Sequence, residues 1–231
     1  MTSNRRAAGI VGVLFIVATA ASLMSAPFLG PVNSSDYLVS VSANRGQVAT
    51  AVLLSFIAAA SSAGIAISLY PTLREHHESL ALGAVGFRLI EAVFLIGSAM
   101  CLLVLITLSQ EFVKAGAPAS SYFQTMGVLV QAGFSWTGNV GSLLAFCLGA
   151  LMYYYIFYRT GLVPRWLSAW GLVGATMCMA AGLLVMFGLI GPMSTTQVVL
   201  ALPIAVQEMV LAVWLMAKGF RSPAIASGRS I

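Results

Sequence analysis

Charge is what this sequence has least of. Of its 231 residues only 7% are charged, 11 Lys and Arg against 6 Asp and Glu, where a water-soluble domain carries about 25%. A soluble globular protein is excluded by that shortage, because most of its surface would have no charged cover. Cysteine is scarce too, and Cys101, Cys147 and Cys178 all fall inside apolar stretches, far apart in sequence, so neither a disulfide framework nor a metal site is indicated. The only histidines, His76 and His77, are adjacent in a polar turn. Paired axial haem ligation between helices therefore has no candidates, and no cofactor is expected. Phosphate-binding loops, dinucleotide fingerprints, HExxH and GxSxG are also missing. The net charge of +5 comes from Arg and Lys scattered singly at the ends of apolar blocks, not from a basic stripe, so nucleic acid is not an expected partner.

What the chain has in abundance is apolar sequence: 60% of residues and a mean hydropathy of +0.97, gathered into six long blocks. Twenty helical residues cover about 30 Å, the thickness of the hydrocarbon layer. The expected fold is all-α, a polytopic transmembrane bundle of six helices forming one domain over 1–231. Its spans fall near 7–26, 48–70, 82–109, 126–157, 166–190 and 198–217. The first block follows Arg5 and Arg6 and carries an Ala18-Thr19-Ala20 triplet, which leaves a cleaved signal peptide as an alternative. Five further spans favour its retention. Between the first two spans, Pro27 to Gln47 reads as a loop with a short surface helix near Asp36 to Val41, capped by Ser34 or Ser35. Pro71 marks the exit of the second span. The fourth block is too long for one upright crossing and must tilt, protrude or begin at the interface.

Positive charge orients this map. With the N-terminus inside, Arg5, Arg6, Arg74, Arg159, Arg165, Lys218, Arg221 and Arg229 lie on the cytoplasmic side, and Arg45 and Lys114 lie opposite. That bias places both termini in the cytoplasm of a cell bounded by this membrane. Gly138, Gly141, Ala145 and Gly149 recur at helical spacing on the fourth span and predict a close-packing face, with Ser135, Asn139 and Ser142 beside it. Tyr153, Tyr154, Tyr155 and Tyr158 near Arg159, with Trp166 and Trp170, read as an interfacial aromatic belt.

The candidate site consists of ionisable residues inside spans. Arg88 and Glu91 stand at i and i+3 on the third span, about 12 and 16 Å deep by helical rise. Glu208, with Gln207 beside it and Pro203 one turn earlier, lies at matching depth on the sixth. Charges at that depth cost at least about 2.5 kcal/mol each unless they face protein or water. If the third and sixth spans adjoin, Arg88, Glu91 and Glu208 form one cluster. One Arg cannot neutralise two carboxylates, so a Glu holds a proton or binds water, a cation or a ligand group. The expected ligand-binding residues are Arg88, Glu91, Glu208, Gln207 and Asn139. No catalytic or metal-ligating residue is indicated.

The pattern of residues resembles a bacterial family of uncharacterised integral membrane proteins, domain of unknown function 4386. It is carried by the basic start with Ala7 and Gly9, Tyr70-Pro71-x-Leu73, Leu82 followed by Phe87-Arg88-x-x-Glu91, Pro164-Arg165-Trp166-Leu167-Ser168, and Pro203 with Glu208, Trp214-Leu215 and Lys218-Gly219-Phe220. The resemblance spans nearly the whole chain and implies a multi-span fold, but it transfers no catalytic or ligand roles. The leading expectation is a protein of the bacterial inner membrane, not an enzyme, that binds a small amphiphile or ion in an intramembrane polar cavity. Its partners would be membrane lipid, that ligand, and a second copy or another membrane protein. The alternatives are a structural or assembly subunit, a small oligomeric transporter and a membrane-embedded enzyme.

Overall fold

A computed structural model describes residues 2–118 and 122–221, with side chains from Arg5 onward; Arg229 lies outside the described residues. The described chain is α-helical and contains no strand. The helices are α1 (Thr2–Ser25), α2 (Tyr37–Ala43), α3 (Arg45–Arg74), α4 (Glu78–Lys114), α5 (Tyr122–Trp136), α6 (Leu143–Thr160), α7 (Arg165–Met186) and α8 (Thr195–Lys218). A 3-10 stretch, Ala26–Asn33, extends α1, and a π-helical stretch, Thr137–Ser142, joins α5 to α6. Six helical units are long and apolar enough to cross a membrane, and the protein is an all-α polytopic bundle.

The units differ from the sequence blocks mainly at their ends. α3 begins at Arg45 and continues through Pro71 to Arg74. A proline so close to a helix end removes one backbone hydrogen bond without stopping the helix, so Pro71 is not the exit. α4 runs on through Gln110 to Lys114, where Lys114 Nζ meets Glu111 Oε1 at 2.6 Å, one turn apart on the solvated tip. α2 forms where a short surface helix was expected, but Asp36 stands at its N-cap with no side-chain cap bond. α7 stops at Met186, before a turn containing Gly188 at φ +69°.

α4 has 37 residues and the α5–α6 unit has 39. At 1.5 Å per residue both reach nearly twice the hydrocarbon thickness of about 30 Å. They protrude together. At the end away from the chain termini Phe112 meets Phe123 edge to face at 6.0 Å, and the Tyr37 hydroxyl donates to the Gln124 carbonyl at 3.1 Å. α2 and the 3-10 stretch cover this extension, and a core of Val32, Leu38, Val41, Val48, Leu102 and Leu105 fills it. A second core fills the half nearer the termini, where Phe15, Ile65, Leu69, Tyr153, Phe157 and Leu211 are buried together.

Small residues set the close helix approaches, as expected in lipid. A Cβ on Gly138 would lie 3.0 Å from Ser98 Oγ, one on Gly141 2.7 Å from the Phe94 ring, and one on Gly149 3.2 Å from Arg88 Cγ. The ridge on the fourth span is thus its contact face with α4. On α7, a Cβ at Gly174 would fall 3.0 Å from the backbone nitrogen of Ile204, directly after Pro203. The two chain ends meet at one end of the bundle: the Gly219 Cβ position is 3.7 Å from Arg5 Cγ, and Arg221 N–H donates to the Leu162 carbonyl at 2.9 Å.

Candidate functional site

α4 presents Arg88 and Glu91 one turn apart, and both are buried, at 2% and 8% exposure. Arg88 Nη1 lies 3.0 Å from Glu91 Oε2. This approach is off the line of a hydrogen bond, and both Nη1 and Nε lack a hydrogen-bond partner. The stem of Arg88 crosses Gly149, and its guanidinium carbon sits 5.0 Å from the centroid of the Phe146 ring, a cation–π arrangement. Ser62 of α3 donates to the same Glu91 oxygen, Oε2, at 2.8 Å. Among the described residues both polar contacts of Glu91 therefore converge on Oε2, and Oε1 accepts no hydrogen bond.

Glu208 projects from α8, 9% exposed, and accepts from the Tyr153 hydroxyl at 3.3 Å. Among the described residues no Lys or Arg comes within ion-pair distance of it. α8 packs along α1 and α7, while α4 packs along α3 and α6. The third and sixth spans are thus not packed neighbours, contrary to the sequence expectation. α6 packs along α4 and supplies Tyr153, whose hydroxyl donates to Glu208 on α8. Arg88 remains within electrostatic reach of Glu208, Tyr153 and Tyr154. The cluster forms across a third helix instead of across a direct α4–α8 interface.

Gln207 is fully buried, accepts from the Tyr154 hydroxyl and donates from Nε2 to the Leu167 carbonyl at 3.0 Å. Its amide thereby ties α6 and α7 to α8. Asn139 lies in the π stretch, its Nδ2 donating to Ser135 Oγ at 3.2 Å. π turns are rare and recur at functional sites. This one brings Gly138, Asn139 and Ser142 to the wall of a cavity of about 300 Å³ that also reaches Glu91, Phe146 and Gln197. A larger chamber of about 650 Å³ lies toward the end away from the termini, bordered by Asn33, Tyr37, Gln131 and Ser135. Asn139 and Met193 border both spaces. Met193 adopts φ +58°, unusual for a residue with a side chain, and its N–H is held by Gln197 Oε1 at 2.6 Å. At the rim, partial burial raises the Tyr37 phenol above its ordinary pKa.

Sequence reasoning assigned the fourth-span tyrosines to an interfacial belt, and the structure corrects half of that. Tyr155 and Tyr158 are 45% and 42% exposed, but Tyr153 and Tyr154 are fully buried, their rings 4.5 Å apart. The signal was available: at 100° per residue, 153 and 154 follow Gly149 and Ala150 on the inward face, and 155 and 158 turn away. Ser62 was also missed, one of many serines in apolar sequence with nothing local to mark its partner. Cys147 and Cys178 are buried in the same core. Among the described residues no group of three or more His, Cys, Asp or Glu could hold a metal ion.

The model of a family described as a domain of unknown function (DUF4386) matches residues 10–219. No curated protein and no solved structure matches the chain.

Proposed function

For this chain, which belongs to the DUF4386 family and folds as a bundle of six apolar helices, we propose a nonenzymatic binding function: a small amphiphile or ion held in the intramembrane cavity at Glu91. The observation that carries this reading is a buried carboxylate lining a cavity while the protein uses only one of its two oxygens. Intramembrane ionisable groups are costly, and they mark ligand or ion pathways where they border a cavity. The cavity combines Glu91, Asn139 and Gln197 with Leu95, Leu143 and Val198, the mixture of an apolar wall and few polar groups found in ligand sites. Arg88 orients Glu91, Tyr153 holds Glu208, and Gln207 keeps α8 in place.

The reading includes a location: the bacterial inner membrane, both termini inside, with the larger chamber opening to the opposite side. Supporting it is the gathering of Arg5, Arg6, Arg74, Arg159, Arg165, Lys218 and Arg221 at helix ends on the terminal side, against Arg45 and Lys114 at the other.

Mass spectrometry of molecules that co-purify with the protein tests the binding function. Wild type is expected to retain a species that Ala201→Phe, which fills the cavity from α8, loses while remaining monodisperse. Identical retained species in both proteins would refute an occupied cavity.

A second reading, assembly alone, is favoured by one observation: Gln207 has both ends of its amide committed to protein. It accounts for Gln207 but not for the cavity at Glu91.

A further inference from the structure

We infer that the group bound at Glu91 is a cation, an organic ammonium on an apolar tail. The inference rests on the cavity reading above and names its ligand class. Three charged side chains are buried together, and two are carboxylates. The single guanidinium meets Glu91 Oε2, and among the described residues Glu208 has no cation at ion-pair distance. When both carboxylates are ionised the cluster is short of one positive charge, and a charge without a counterpart at this depth is costly. An anionic headgroup would add a third negative charge; a neutral one would leave the deficit unchanged.

Geometry says where the missing charge belongs. Of the three residues only Glu91 lines the cavity, while Arg88 and Glu208 do not. What an occupant meets is therefore Glu91, whose Oε1 accepts no hydrogen bond from the described residues, with Asn139 and Ser142 on the same wall. Arg88 has spare hydrogen-bonding capacity: its Nε and Nη1, the latter beside Glu91, are buried without hydrogen-bond partners, and Glu208 is in electrostatic reach. A cation at Oε1 takes over Glu91 and frees the guanidinium toward Glu208, leaving each carboxylate with one positive partner. Around this meeting point stand Ser62 on α3, Tyr153 on α6, Ser22 on α1 and Gln197 on α8. None of these supplies a positive charge. Leu95, Leu143, Val198 and Ala201 form the wall for the tail.

Three amphiphiles with the same ten-carbon tail test this: decyltrimethylammonium, decanol and decyl sulfate, measured by equilibrium dialysis against the purified full chain in phosphatidylcholine nanodiscs, with empty discs subtracted. The expected result is saturable retention of decyltrimethylammonium alone, weakened at least tenfold by Glu91→Gln and abolished by Ala201→Phe. Ala201→Phe leaves every charge in place, so it carries the test if Glu91→Gln does not fold. Saturable retention of decanol or decyl sulfate that Ala201→Phe removes would overturn the cationic assignment and keep the binding reading. Decyltrimethylammonium retained equally by wild type and Glu91→Gln would overturn the assignment to Glu91. No saturable retention of any probe would overturn the cationic assignment, and the co-purification comparison then decides the cavity reading separately.

Discussion

At the scale of single residues, Arg88 shows how a charge is kept within an apolar bundle. Its stem needs the space that Gly149 leaves open, its guanidinium needs the Phe146 face and Glu91, and Glu91 in turn needs Ser62. Gly149→Val would put a branched side chain where even a Cβ comes within 3.2 Å of Arg88 Cγ, and overpacking of this kind costs about 1–3 kcal/mol. The expected outcome is a lower unfolding temperature in detergent, measured by tryptophan fluorescence; an unchanged transition would mean that the Arg88 stem is free to move aside. Ser62→Ala removes one buried hydrogen bond to Glu91. Such bonds in membrane proteins contribute about 0.6 kcal/mol on average. Ser62→Ala should therefore destabilise wild type slightly and the Glu91→Gln background less, and a double-mutant cycle with no coupling would contradict the bond.

At the scale of elements, the decisive contacts are those where backbone meets backbone. α7 crosses α8 at Gly174, opposite the Ile204 nitrogen, and Pro203 deprives the preceding turn of one amide donor. Because a backbone atom cannot rotate away as a side chain can, Gly174→Val should separate α7 from α8 and break the Gln207 bond to the Leu167 carbonyl. The expected readout is a clear fall in folded yield by size-exclusion chromatography, larger than for the same change at Gly86, where no atom lies within 4 Å of an added Cβ. Such elements were unevenly legible in the sequence. Six apolar blocks announced six spans, because hydropathy is a property of composition. The ridge of Gly138, Gly141, Ala145 and Gly149 announced a contact face, because helical phase is readable from spacing. The partner of that face was not readable, and neither was the π turn within it, since an added residue in one turn leaves no local signature. Arg88, Glu91 and Glu208 stood out as rare charges in apolar sequence. The bond from Tyr153 to Glu208 did not, because it depends on how α6 and α8 sit in the bundle.

At the scale of the whole molecule, the arrangement has two unlike ends. The terminal end is tied closed by Arg5 against Gly219 and by the Arg221 amide on Leu162, with Phe220 packed on Phe157 at 6.1 Å. Toward the other end lie two cavities that share Asn139 and Met193 as lining residues, the larger bordered by the 3-10 stretch and Tyr37 of α2. Which end faces the cytoplasm therefore decides from where a ligand reaches Glu91. Basic residues near span ends favour the cytoplasmic side, and they gather at the closed end, so the chambers are expected to open outward. Alkaline phosphatase, active only outside the cytoplasm, checks this when fused after Gly116 or Gly191 and, separately, after Gly161 or Arg221. Activity at the first two and none at the last two is the expected pattern. The reverse pattern would turn the chambers toward the cytoplasm and make any occupant of Glu91 a molecule drawn from inside the cell.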